Sequence, residues 1–166
     1  MRKNKALPFL ALFFLFACDN GTPGKASNVT ASASQEAVTK KVSDLESRLA
    51  SADSLQVLYY DNSDGDSLRY SRYFTYNETT DTAQIKMLLK EMDQVYVQEP
   101  KARDCRSEGK LYLLRGEDVL KTVYFSTRGD SCRYFYFIKD GSFVYFPLTN
   151  KAAMFLKENK QKARKR

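Results

Sequence analysis

The chain has 166 residues, 43% of them hydrophobic and 28% charged, with 27 basic against 20 acidic side chains and no histidine. Without an imidazole, Ser-His-Asp and Cys-His mechanisms are excluded, and so are most zinc sites; carboxylate pairs remain as a hydrolytic route. The length beyond an N-terminal leader suits one domain and is too short for two.

Arg2, Lys3 and Lys5 open the chain with positive charge, residues 6–16 are apolar apart from Pro8, and the small Ala17 precedes Cys18. This is the plan of a secretory signal. The apolar run is about half of the roughly 20 residues that a helix needs to cross a bilayer. Leu15-Phe16-Ala17-Cys18 resembles the lipobox of bacterial lipoproteins, which has Leu at minus three and a small residue at minus one. The resemblance implies that residues 1–17 are removed and that Cys18, carrying a diacylglyceryl group, becomes the mature N-terminus. Two or three acyl chains anchor stably, at about 0.8 kcal/mol per buried methylene. A membrane, held through the lipid on Cys18, is thus the first expected partner. Asp19 next to it resembles the inner-membrane retention signal of enterobacterial lipoproteins, a lineage-specific rule. The expected address is the bacterial cell envelope, exported and membrane-anchored, with the outer membrane ahead of the inner.

Residues 19–34, DNGTPGKASNVTASAS, are small and polar with no apolar pattern. Such a composition buries too little surface to offset its ordering entropy, so 18–34 reads as a flexible tether. A single domain is expected over 35–157. Ser32 with Gln35 forms a capping box, and Val38, Val42, Leu45 and Leu49 give a first amphipathic helix over about 35–52. SLQVLYY and SLRYSRYFTY flank the polar DNSDGD and predict a β-hairpin. Thr80 is placed to cap a second helix with Ile85, Leu88, Leu89 and Met92 on one face. QVYVQ is a short strand, followed by the polar EPKARDCRSEG. From Lys110 four strands, KLYLLR, VLKTVYFST, CRYFYFIK and SFVYFP, are joined by GED, RGD and DG turns. Turns this tight permit only antiparallel neighbours. Thr149 caps a closing helix with Ala152, Phe155 and Leu156. The expected fold is therefore α+β: a mostly antiparallel sheet of six or seven strands ending in a C-terminal β-meander, with helices on one face.

With Cys18 lipidated, Cys105 and Cys132 remain as an even pair in an oxidising compartment, most simply a disulfide. In the meander the first and third strands begin at the same end, which brings Cys132 near the loop that carries Cys105. Closing a loop of about 28 residues stabilises by roughly 3 to 4 kcal/mol in the chain-entropy model. There is no CxxC, so a redox or metal pair is the lesser reading; no cofactor and no metal are expected.

Four short motifs have functional readings beside plainer ones. Asp61, Asp64 and Asp66 lie close enough for carboxylate or calcium chemistry, but Asp and Gly also suit a turn, and the spacing departs from an EF-hand loop at its fifth and sixth positions. Arg128-Gly129-Asp130 matches an adhesion tripeptide in letters and also makes an ordinary hairpin turn. DSL at Asp53 and Asp66, and DTA at Asp81, resemble an O-glycosylation acceptor pattern of Bacteroidota; Asp-Ser is equally turn or cap chemistry.

Alternation sorts the meander by face. Leu111, Leu113, Val119, Val123, Phe125, Phe135 and Phe137 are the expected core beneath the helices. Tyr112, Leu114, Leu120, Tyr124, Tyr134 and Tyr136 form the other face. Tyrosine combines a π-face with a hydrogen-bonding tip, so Tyr112, Tyr124, Tyr134 and Tyr136 are the candidate binding face for an envelope protein, a glycan or a small ligand, although tyrosine is also a good strand former. Residues 151–166 hold seven basic side chains against Glu158 alone. Lys157, Lys160, Lys162, Arg164, Lys165 and Arg166 lie in KENKQKARKR, which is expected to continue the closing helix past its apolar stripe as a basic tail over 158–166. Such a tail suits the negative end of a helix dipole and could touch anionic lipid. Nucleic acid is not an expected partner outside the cytoplasm. The functional expectation is a non-catalytic binding domain on a lipid anchor; a carboxylate-dependent envelope hydrolase and a purely structural tether are the alternatives.

Overall fold

The computed structural model describes residues 39–63 and 74–165. The expected signal peptide, Cys18 and its tether, the Ser32–Gln35 capping box, Val38, Asp64, Asp66 and Arg166 lie outside these residues. The residues from Ala37 onward form one compact unit.

The fold is α+β, with one antiparallel sheet of eight strands among the described residues. In chain order these are β1 (Ser54–Tyr60), β2 (Phe74–Thr79), β3 (Val97–Glu99), β4 (Gly109–Arg115), β5 (Asp118–Arg128), β6 (Cys132–Lys139), β7 (Ser142–Pro147) and β8 (Arg164–Lys165). Their spatial order is β3-β7-β6-β5-β4-β1-β2-β8. The β4–β7 meander is present, and its tight turns use Gly116, Gly129 and Gly141 at positive φ, where a side chain is disfavoured. The strand beyond the expected count is β8. Arg164 and Lys165 carry no apolar signal, yet their backbone pairs with Tyr76 and Thr75.

Three α-helices are described: α1 (Val42–Leu45), α2 (Thr82–Met92) and α3 (Asn150–Lys162). The long first helix expected over 35–52 is corrected to a single turn, α1, followed by a 3₁₀ turn at Ser47–Ser51. The break falls at Glu46, whose backbone leaves the helical region at φ −143°, ψ 68°. Its carboxylate turns inward instead, 2.7 Å from Lys121 Nζ. Helix α2 is capped one residue later than expected, by Asp81 and not Thr80, because its Oδ1 accepts from the Ala83 and Gln84 amides. Thr149 caps α3 as expected, with Oγ1 accepting from the Ala152 amide at 3.1 Å and donating to Glu91 Oε2 at 2.7 Å.

Both long helices pack on one face of the sheet. Ile85, Leu88 and Met92 of α2 and Ala152, Phe155 and Leu156 of α3 share a core with Leu55, Val57, Leu111, Leu113, Val123, Phe125, Phe135 and Phe137. Val119 does not join this core and is 52% exposed. A β-bulge explains the correction: Leu113 pairs with Lys121 but Leu114 pairs with Val119, so Leu120 is an extra residue and the alternation changes phase. The β5 side chain on the helix side nearest the bulge is that of Lys121, whose ammonium lies 4.6 Å above the Phe137 ring.

Candidate functional site

The face of the sheet turned away from the helices is built by register. Antiparallel pairing lines up Tyr76, Leu58, Lys110, Tyr124, Tyr136, Tyr145 and Val97 as successive cross-strand neighbours from β2 to β3. Directly opposite side chains on one face are close enough to pack. Tyr124 and Tyr136 accordingly stack at 4.9 Å between centroids, and Tyr136 lies 5.3 Å from Tyr145 and 6.1 Å from Phe143. Val97 (55% exposed), Val119 and Ile138 (53% exposed) lie on the same face. Beyond Lys110, whose ammonium sits 4.9 Å above the Tyr112 ring, Gln56, Leu58, Tyr76 and Glu78 line a shallow groove of about 450 Å³.

Of the four tyrosines singled out by sequence, Tyr112, Tyr124 and Tyr136 are half-buried on this face. Tyr134 is corrected: at 3% exposure it is a buried support of the cluster and presents no surface. Its cover is the polar loop between β3 and β4. Arg103 in that loop lies 4.2 Å over the Tyr145 ring and 5.2 Å over that of Tyr134, while the Arg103 amide donates to Tyr145 Oη at 2.9 Å. The guanidinium forks onto Glu99, with Nη2 to Oε1 at 2.6 Å and Nε at 3.1 Å. This hydrogen bond and charge hold the Glu99 carboxyl below its ordinary range. Tyr134 Oη donates to the Cys105 carbonyl at 3.2 Å. Cys105 is bonded to Cys132, with Cα atoms 5.6 Å apart, as the cysteine pairing predicted. The disulfide thus fastens to the end of β6 the loop that seats Arg103 on the tyrosines.

Sequence reasoning missed Arg103, Phe143, Tyr145 and Tyr76. Phe143 and Tyr145 carry a usable signal. A two-residue DG turn fixes Lys139 opposite Ser142, which puts Tyr145 opposite Tyr136 and Phe143 opposite Ile138. Arg103 sits in a loop with no periodicity and gives none.

The basic stretch expected over 158–166 continues the closing helix, and its end then pairs with the sheet. Helix α3 runs to Lys162, so Lys157, Lys160 and Lys162 are helical, and Arg164 and Lys165 form β8 with the Arg164 guanidinium 5.2 Å over Tyr76. Asp53 accepts from the Gly116 amide with both carboxylate oxygens at 3.0 Å, and Arg128 is turned back onto Ser63 and Glu108. These contacts give the Asp-Ser-Leu stretch at Asp53 and the Arg-Gly-Asp turn structural work. Among the described residues, no group of three or more acidic or cysteine side chains is placed to hold a metal ion, and no helix is long and apolar enough to cross a membrane. Comparison with protein-family models, curated proteins and solved structures finds no match for the chain.

Proposed function

We propose that this protein is an exported bacterial lipoprotein, held at the cell envelope by lipid on Cys18, whose domain is a non-catalytic module that docks a protein partner on the tyrosine face. The observation that carries the reading is the exposure of Val97 and Ile138 beside Tyr145, Tyr136 and Phe143 on the sheet face away from the helices. Isolated apolar side chains at a surface need no explanation, but a contiguous aromatic and aliphatic patch has the composition of an interface core. A protein partner suits this face better than a glycan. The exposed aliphatic side chains offer sugars no hydrogen bonds, and the neighbouring Tyr124 and Tyr136 rings cover each other's faces. The Cys105–Cys132 disulfide supports export, since such bonds persist in oxidising compartments, and it accounts for two of the three cysteines, Cys18 being the third.

A photo-crosslinking residue in place of Tyr124, in the full chain in its native membrane, tests the docking reading. The expected result is one discrete adduct there and none from the same residue at Met154 on α3. Equal capture at both positions overturns it. Mass spectrometry of the N-terminal peptide tests the anchor separately: an unmodified Cys18, or a chain starting at Met1, overturns that part alone.

A further inference from the structure

The helix-covered face holds a second feature, unrelated to the tyrosines. Asn150, Ala153, Lys157 and Lys160 are spaced three, four and three apart and so share one flank of α3. That flank does not close onto the sheet. Between them lies a groove of about 610 Å³, floored by Tyr59, Phe125 and Leu156, within the range of small-molecule sites. The floor depends on Gly109, which stands between Tyr59 and Phe125 across the strands. A Cβ there would come within 2.6 Å of the Phe125 ring and 2.1 Å of the Leu58 carbonyl oxygen, so only glycine leaves room for that ring beside β4.

The mouth of the groove is cationic. Arg133, Lys157 and Lys160 line it, against Glu108 as its one acid among the described residues. Glu108 is engaged, since its Oε2 accepts from the Thr127 amide at 2.7 Å and from Thr127 Oγ1. Lys157 and Lys160 form no ion pair among the described residues, and Lys160 Nζ reaches to 5.9 Å above the Tyr59 ring. Arg133 is held at one end only: Nη2 donates to Asn150 Oδ1 at 2.5 Å, while its buried Nε has no acceptor among the described residues. A buried donor without a partner is unfavourable, more so on a charged group. An oxygen of a bound anion, reached by a small turn of the terminal torsion, would supply the acceptor.

We infer that this groove binds a fatty-acid anion, with the carboxylate at Arg133, Lys157 and Lys160 and the chain along Phe125, Leu156 and Tyr59. The volume accommodates one chain, and Glu108 on the same rim opposes a doubly charged head. The full chain in its native membrane can be labelled with a diazirine-bearing palmitic acid and digested with trypsin. Adducts are expected on the peptide 152–157, competed by unlabelled palmitate. Arg133→Gln is expected to lower the yield roughly tenfold, the loss of one charge-assisted hydrogen bond. Ala153→Phe, which fills the groove from a half-buried position, is expected to abolish it. Wild-type abundance and an intact Cys105–Cys132 disulfide in each variant establish folding. Labelling confined to other peptides, or undiminished by both substitutions, overturns the site. Equal labelling by the matching diazirine alcohol, or displacement by a lysophospholipid at lower concentration than palmitate, overturns the fatty-acid assignment.

Discussion

The two faces of the meander are made from the same strands and nearly the same side chains. In Tyr134-Phe135-Tyr136-Phe137 and again in Tyr145-Phe146, phenylalanine points to the helices and tyrosine points away. The two rings differ by one hydroxyl, so shape alone does not sort them. What sorts them is where the oxygen can be satisfied: Tyr136 is half-exposed to water, while the buried Tyr134 and Tyr145 hydroxyls bond the Cys105 carbonyl and the Arg103 amide of the covering loop. Tyr59 tests the rule from the wrong side. It lies on the helix face and is buried, and its Oη donates to the Leu156 carbonyl at 2.6 Å. Burial also drives its phenol well above the ordinary range, so it stays a donor.

If the faces differ as described, truncation should cost unequal amounts. Phe135→Ala removes a fully buried ring stacked 5.4 Å from Phe146, and should destabilise by about 3 to 5 kcal/mol in urea unfolding. Tyr136→Ala, half-exposed on the other face, should cost clearly less, near the ordinary point-mutant value of about 1 kcal/mol. Equal losses would break the comparison outright. Next in size, Cys105→Ser should cost about 2 to 4 kcal/mol by freeing the loop that covers Tyr134. Hydrogen exchange over 99–108 should rise more than over β4 and β5, and a uniform rise would detach the disulfide from that loop.

Much of this architecture was legible because it follows from local chemistry. The meander, its glycine turns, the disulfide and the Phe/Tyr sorting rest on period-two alternation, turn residues and cysteine parity. What failed to read was non-local. Val119 went to the wrong face because the bulge at Leu120 leaves no mark in the strand's own letters. The first helix broke at Glu46 because Lys121, far along the chain, attracts the carboxylate. The end of the basic tail became β8 because β2 has an edge to pair, which charge composition does not reveal. Tyr134 was placed correctly on its face but covered by Arg103, a loop residue that no pattern singles out.

The Glu46 site is where the helix face admits charge, and it sharpens the contrast through pH. Burial raises this carboxyl, but the Lys121 hydrogen bond and the charges of Lys121, Lys139 and Arg48 outweigh it and hold the group below its ordinary 4.5. Because the folded-state value is depressed, the stabilisation is complete above 4.5 and is lost as pH falls through the lower folded value. Glu46→Gln should therefore cost about 1 to 3 kcal/mol at pH 7, less than a fully buried pair because Arg48 and Lys139 reach solvent. The gap to the wild type should narrow by pH 3. A gap that stays constant from pH 7 to pH 3 would mean that Glu46 acts through packing and not through charge.

The smallest expected effect on stability separates the faces most cleanly by function. Ile138 is 53% exposed and sits opposite Phe143 on the tyrosine face. Ile138→Asp should change unfolding free energy by no more than about 0.5 kcal/mol, since it disturbs no core contact and no hydrogen bond. If that face is a docking surface, the same substitution puts an uncompensated charge into the interface centre and should remove the crosslink captured from Tyr124. A Met154→Asp change on the exposed side of α3 should leave that crosslink intact, because it also adds one negative charge but on the other side of the sheet. Loss of the adduct in both variants would trace it to net charge, and retention in Ile138→Asp would show that the tyrosine face is solvent-facing for reasons of folding alone.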